Sequence, residues 1–353
     1  MDKEKIKVLM IGPDRSVHGG ISGLVNGYYH VGLDKKVDLR YIGTMKEGSK
    51  LKKLMVAGLS YVRFCMCVGK YDIVHVNVAS DNSFWRKALF IKCAKRRNKK
   101  IVIHQHGGNI DEYYESLDEK RKEQVRNIFG MADVLLVLTN GLNDFFGTIV
   151  DRRKILILPN GVVTQGVGVD KDKKDYTKIL FLGRICRNKG ISELLEAMDE
   201  IHAKNPEAML YLGGIYEDNE YRSEVEKRAS YVSSLGWITG KAKDDWLDKC
   251  GIFVLPSYFE GFPLSVIEGM LHGCAVVSTD VGGVPEAIED GESGILIKPK
   301  DVEGLKNAIE RIICDKNFAK KISNGGIKTA KEKYSLEKNT EKLIEIYRKV
   351  LNY

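Results

Sequence analysis

Residues 178–204 read KILFLGRICRNKGISELLEAMDEIHAK: a short apolar strand, a basic loop bounded by glycines, then a helix with an apolar stripe. A strand turning tightly into an amphipathic helix is the repeating unit of a parallel α/β sheet. The unit recurs along the chain. Apolar runs at 5–11, 37–42, 72–78, 100–105, 133–138 and 154–158 form one set. Runs at 178–182, 208–213, 252–256, 274–279 and 294–297 form a second. Near-continuous apolar runs mean strands buried on both faces, hence parallel sheets covered by helices. Amphipathic segments at 191–204, 301–314 and 316–332 supply such helices in the second half. Between the two sets, after Pro159-Asn160-Gly161, the stretch VVTQGVGVDKDKKDYT has no apolar period. The expected organisation is a Rossmann-like domain at 1–160, a linker at 161–176, a second Rossmann-like domain at 177–334, and a final helix at 335–353. A chain of 353 residues suits two cores of this size.

Composition narrows the class. With 43% hydrophobic and 29% charged residues, the chain is globular rather than disordered. The net charge of +8 is unevenly spread: residues 46–105 hold 14 basic and 3 acidic side chains, so an anionic partner on that face is expected. Seven scattered cysteines without C-x-x-C exclude a disulfide framework and a zinc finger, and point to a reducing, cytoplasmic compartment. The N-terminal apolar run is too short for a signal-peptide core, and no stretch is apolar enough to span a bilayer.

Ligands of open parallel sheets bind beyond the carboxyl ends of the strands, where helix N-termini point. Four clusters fall there. Gly19-Gly20 follows the first strand; the competing reading is an ordinary βα turn, and the pattern is not a dinucleotide fingerprint. His104-Gln105-His106-Gly107-Gly108 ends the 100–105 run. Alternation puts both histidines on one side, so one of them can be packing alone. Gly183-Arg184-Ile185-Cys186-Arg187-Asn188-Lys189-Gly190 offers two cations before a helix, either solvated loop charges or a diphosphate cradle. The fourth is Pro256-Ser257-Tyr258-Phe259-Glu260-Gly261-Phe262-Pro263-Leu264-Ser265-Val266-Ile267-Glu268. Here Glu260 lies in the loop, Pro263 fits a first helical position, and the amides near Leu264 and Ser265 suit a phosphate. Glu268 sits inside the helix among apolar residues, which calls for a partner.

These residues carry a resemblance. The E-x7-E spacing of Glu260 and Glu268, GR-x4-KG at 183–190, Pro-Asn-Gly at 159–161 and Gly-Gly-Val-Pro-Glu at 282–286 resemble the retaining glycosyltransferases of family 4, as do Gly19-Gly20 and His106-Gly107. The resemblance implies a GT-B fold: two Rossmann-like domains facing across a cleft, with the last helix crossing back to the first. It implies a nucleotide diphosphate sugar, a UDP-sugar by family frequency, as donor. The acceptor would be a saccharide or lipid-linked saccharide of a surface polysaccharide or glycolipid. Arg184 and Lys189 would hold the diphosphate, Glu260 the transferred sugar and Glu268 the ribose, with His106 near the reacting sugar. Gly20, Gly183, Gly261, Phe262, Leu264 and Ser265 would line the donor. Ile238, in Gly236-Trp237-Ile238, would meet the base through its main chain. No cofactor or metal is expected. The alternative on the same architecture is a nucleotide-sugar 2-epimerase; a catalytically dead subunit and a nicotinamide oxidoreductase fit less well.

Two further signals compete. Asp170-Lys171-Asp172 spells a metal-binding D-x-D, but it lies in a Lys-rich linker rather than at a strand end. Residues 46–68 and 85–100 mix cations with Trp, Phe and Leu, and read as a surface docking on anionic membrane lipid, or as two ordinary amphipathic helices. No base-reading motif appears, so nucleic acid is not an expected partner.

Overall fold

The computed structural model describes residues 5–107, 109–168 and 174–352, with Asn82 by its backbone alone. Gly108, the Asp170-Lys171-Asp172 motif and the rest of 169–173 lie outside the described residues. The chain divides into two units, Met1–Val163 with Leu336–Tyr353, and Thr164–Ser335.

Unit 1 holds β1 (Lys7–Gly12), β2 (Asp38–Gly43), β3 (Ile73–Val78), β4 (Lys100–Gln105), β5 (Val134–Val137) and β6 (Ile155–Ile157). They form one parallel sheet in the order β2-β1-β3-β4-β5-β6, in register from Lys7 opposite Asp38 to Gly12 opposite Gly43. Every residue of β3 is buried, as expected for a strand covered on both faces. The Leu336–Val350 helix belongs to this unit. It buries Leu336, Leu343, Tyr347 and Val350, a helical period, and its Leu336 N–H donates to Val162 O at 2.8 Å.

Unit 2 holds β7 (Asp175–Leu182), β8 (Met209–Gly213), β9 (Val232–Gly236), β10 (Cys250–Leu255), β11 (Ala275–Thr279) and β12 (Ile295–Ile297). Its parallel order is β12-β11-β10-β7-β8-β9. The expected helices lie at Ile191–Lys204, Val302–Cys314 and Lys316–Lys333. β9 escaped the sequence reading because its VSSLG has no apolar run: it is an edge strand with alternating burial, so its polar side chains meet water.

The 85–100 segment follows the amphipathic alternative along most of its helix, with one face inward and its cations at the end outward. In the Asp81–Arg96 helix, Phe84, Lys87, Phe90, Ile91 and Ala94 are buried, and Leu89 is its one strongly exposed large apolar side chain. Its apolar face packs on β3 and β4, which are short of cover without it.

Candidate active site

In a doubly wound sheet the ligand crevice forms where the strand order reverses. In unit 2 the reversal lies between β7 and β10, whose following loops are Gly183–Gly190 and Pro256–Pro263. The two loops are tied together. Tyr258 N–H donates to Asn188 O at 2.9 Å, and Tyr258 Oη donates to Glu193 Oε1 at 2.5 Å. Gly283 N–H donates to Gly261 O at 2.9 Å, and Thr279 Oγ1 to Ser257 O at 2.6 Å. Two glycines make the close approach workable. Gly190 has φ +68° and a Cβ there would sit 2.1 Å from Pro256 O; Gly282 has φ +55° and its Cβ would sit 1.6 Å from Glu260 O.

The loops bring the expected charged residues into pairs. Lys189 Nζ donates to Glu260 Oε1 at 2.5 Å, and the same oxygen accepts from Ser257 Oγ at 2.6 Å. The Glu260 side chain is only 10% exposed, so both contacts act in reduced dielectric. Arg184 forms an ion pair with Glu217. Glu268, in the Leu264–Leu271 helix, forms an ion pair with Lys243 of the Lys241–Lys249 helix at 2.5 Å. Burial works against the Lys243 charge, but the Glu268 carboxylate outweighs it and raises the ammonium pKa above its ordinary value. The partner that the apolar setting of Glu268 called for is therefore Lys243. Lys243 and Glu217 were not among the candidates, and Ser257 stood in the fourth cluster without a role. Nothing in the KAKDDW run marks one lysine over another, because the choice is made by how two helices pack.

The remaining donor candidates separate by what is left open. Leu264 and Ser265 begin the helix, and their N–H groups donate to no described acceptor, while Val266 N–H turns back to Pro263 O at 3.2 Å. Pro263 is the N-cap, in extended geometry, rather than the first helical residue; its ψ of 108° precedes the helix. The Phe262 side chain is buried against the Tyr334 ring, centroids 5.0 Å apart, so what it offers a ligand is its backbone. Gly183 N–H extends the ladder to Gly213 O at 3.0 Å, leaving Arg184 to start the loop. Ile238 follows β9, half-buried over the end of β8 at Gly213.

In unit 1 the order reverses between β1 and β3. Gly19 caps the Gly20–His30 helix after β1, and no protein atom lies within 4 Å of where a Cβ would stand on either glycine. Backbone amides are therefore open to approach there. His106 follows β4. Its Nε2 lies 2.9 Å from Asn77 Oδ1, and Asn77 Nδ2 donates to Ile11 O at 3.1 Å. That fixes the amide, so His106 Nε2 carries the proton and Nδ1 keeps its lone pair. The His104 ring is 4.0 Å from that of His106 and is fully buried, the packing member of the pair. Burial pushes His104 down to about 3, and burial with His104, His75 and Lys87 nearby holds His106 well below its ordinary value. His106 is thus a neutral acceptor at physiological pH. Lys87 is pushed down to about 7 by burial, with Arg86 adding to the effect. A hollow of about 620 Å³ in the same unit is lined by Asp81, Trp85, Tyr113, Arg121 and Gln124, with Trp85 Nε1 donating to Tyr113 Oη at 2.7 Å. Sequence reading passed over it because its residues come from separate helices.

Among the described residues no group of three His, Cys, Asp or Glu is placed to hold a metal ion.

Residues 176–315 match the family model Glycosyl transferases group 1. The chain is 30% identical over 253 residues to the alpha-maltose-1-phosphate synthase of Mycolicibacterium smegmatis, covering 62% of this chain and 64% of that one. It is 27% identical over 227 residues to the lipopolysaccharide core biosynthesis glycosyltransferase LpsE of Rhizobium meliloti, covering 62% and 65%. These matches span less than two thirds of the relatives' own length. An epimerase finds no support among them. In structure, the chain is similar to sucrose-phosphate synthase from Thermosynechococcus elongatus, with TM-score 0.81, 19% identity and coverage of 99% and 100%. It is also similar to Anabaena HepE in complex with UDP, with TM-score 0.77, 15% identity and coverage of 97% and 99%. Two doubly wound parallel sheets with these neighbours make the architecture GT-B, and residues 176–315 within it are similar to the group 1 glycosyltransferases.

Proposed function

We propose that this protein transfers a hexose-type sugar from a nucleotide diphosphate sugar, read here as a UDP-sugar, to a saccharide or lipid-linked saccharide acceptor, with the anomeric configuration retained. The observation that carries this reading is the meeting of Lys189 and Glu260 at the switch point of unit 2, with Arg184 in the same loop and Glu268 one turn into the next helix. The C1–O bond to the β-phosphate breaks, a C1–O bond to the acceptor oxygen forms, and the acceptor hydroxyl's proton passes to an oxygen of the departing diphosphate. Negative charge then gathers on the leaving diphosphate, where Arg184, Lys189 and the free amides of Leu264 and Ser265 meet it. When the diphosphate draws Lys189 towards itself, Glu260 is freed to accept from sugar hydroxyls, still fixed by Ser257. Glu268 receives the ribose hydroxyls in the same way. The Trp85–Tyr113 hollow of unit 1 receives part of the acceptor. The reaction in this reading is cytoplasmic and independent of metal.

Support comes from the names of relatives that act on sugars and from the UDP held by a structural neighbour. The decisive experiment is a thermal-shift screen against UDP-, GDP- and ADP-sugars with and without EDTA. A UDP-sugar at a hundred times its dissociation constant should add roughly 2.7 kcal/mol of stability, unchanged by the chelator. A protein that no nucleotide sugar stabilises does not have this donor site. NMR of the product's anomeric proton then tests retention.

A further inference from the structure

The Lys50–Cys67 helix of unit 1 turns two unlike faces outward and inward. Ser60, Phe64 and Cys67 are buried, a single inner face at helical spacing. On the other side Leu51, Leu54, Met55, Leu59, Val62 and Met66 are between 52% and 78% exposed. Leu51, Met55, Leu59, Val62 and Met66 follow one another at spacings of four, four, three and four, a continuous stripe roughly 22 Å long at 1.5 Å per residue. Ten large apolar side chains are strongly exposed among the described residues, and this one helix supplies six of them. A stripe of that size on a soluble surface marks an interaction site.

Charge says what covers it. The helix carries Lys50, Lys52, Lys53 and Arg63 and no acidic residue. Three of these lysines stand in the first turn, where the helix dipole favours carboxylates, so they do not serve the helix itself. None of the four forms an ion pair among the described residues. A two-fold pairing of the same face with a second copy would set four positive charges against four. No helix among the described residues is long and apolar enough to cross a membrane. We infer that this helix lies flat in the headgroup region of an anionic bilayer, its apolar stripe in the acyl boundary and its lysines among lipid phosphates. The terminal cations Lys95, Arg96, Arg97 and Lys99 of the neighbouring helix and its loop enlarge the basic field. The inference stands apart from the transferase reading, since vesicle binding needs neither donor nor acceptor.

The test is co-sedimentation of the full chain with vesicles of phosphatidylcholine alone and with 30% phosphatidylglycerol (a composition of our choosing, on the order of an anionic leaflet). Wild type should bind the anionic vesicles at least about a hundredfold more tightly. The Lys50→Gln/Lys52→Gln/Lys53→Gln variant should lose on the order of 100-fold on anionic vesicles only. The Leu51→Ser/Met55→Ser/Met66→Ser variant should lose binding to both. All six positions are exposed, and an unchanged melting temperature confirms that the variants fold. Equal binding of wild type to both vesicles, or a serine variant that binds as wild type does, overturns the inference. So does a dimer in light scattering that the serine variant abolishes while vesicles are ignored.

Discussion

Both sheets reverse their strand order beside their first strand, between β1 and β3 in one unit and between β7 and β10 in the other, and the two switch points differ in electrostatics. Beyond β7 and β10 the side chains are charged and paired: Lys189 with Glu260, Lys243 with Glu268, Arg184 with Glu217. At the end of β4 His106 is held neutral by burial and oriented by Asn77, while the charged side chains of this unit's loops lie after β1, where Asp14 pairs with Lys46, and after β3 at Asp81. A strand order therefore fixes where a ligand can sit and leaves open what kind. Paired charges suit a polyanion, because each ion pair can be exchanged for a pair with phosphate. Desolvated neutral groups suit hydroxyls, whose weaker bonds gain most where water is excluded.

The sharpest way to break this division is to remove a cation from unit 2. Lys189→Ala or Arg184→Ala should lower turnover at saturating donor at least about a hundredfold, the usual scale for one fixed donor to a developing negative charge. Steady-state rates on the UDP-sugar identified by the thermal screen measure it. Near-normal turnover in either variant would move the diphosphate away from β7 and β10.

The neutral site of unit 1 answers to pH instead. His104 titrates at about 3 in the fold and near 6.5 when unfolded. Below 6.5 the unfolded chain takes up a proton that the folded chain refuses, so stability falls as pH falls from 6.5 towards 3. His104 alone should remove about 2 kcal/mol at pH 5, and His75 and His106, also depressed by burial, act in the same direction. Amide exchange at pH 7 and pH 5 reads it by region. Protection should drop in β3 and β4 and hold in β7 and β10. Equal protection at both values would mean that water already reaches the histidines.

How much of this was legible in the sequence follows from the same contrast. Strands buried throughout, such as β3 and β10, could be read because burial on both faces leaves apolar runs, and β9 could not because one of its faces is wet. Arg184, Lys189, Glu260 and Glu268 stood out because they follow strand ends. Their partners Lys243 and Glu217 did not, since they arrive from other elements and share no spacing with them. His106 was visible at its strand tip, but its neutral state was not: that comes from His104, His75 and Lys87 packed around it from three elements. The mixture of Lys and Trp at 85–100 left two readings open because composition does not tell which face of a helix is inward.

A milder change in unit 2 separates grip from chemistry. Glu268→Gln keeps the shape and removes the charge, leaving Lys243 partly buried without its carboxylate. The ribose is remote from the bond that breaks, so its loss should raise donor KM roughly tenfold with kcat little changed. A fall in kcat alone would place Glu268 at the reacting sugar rather than at the ribose.

The smallest effect should come from Ser257→Ala. Its Oγ donates to the Glu260 oxygen that Lys189 also reaches, so in the free protein the carboxylate keeps one strong partner when the hydroxyl is gone. A single hydrogen bond to a charged group contributes about 1.5 kcal/mol or somewhat more when nothing replaces it; here Lys189 does. With donor bound, however, Lys189 turns to the diphosphate and Ser257 becomes the remaining anchor of Glu260. The substitution should therefore leave donor-free stability nearly unchanged and lower kcat only about threefold, a loss on the order of 0.7 kcal/mol in the transition state. A stability loss with unaltered kcat would reverse the assignment, and show that Lys189 and Glu260 stay paired through the reaction as a structural bridge.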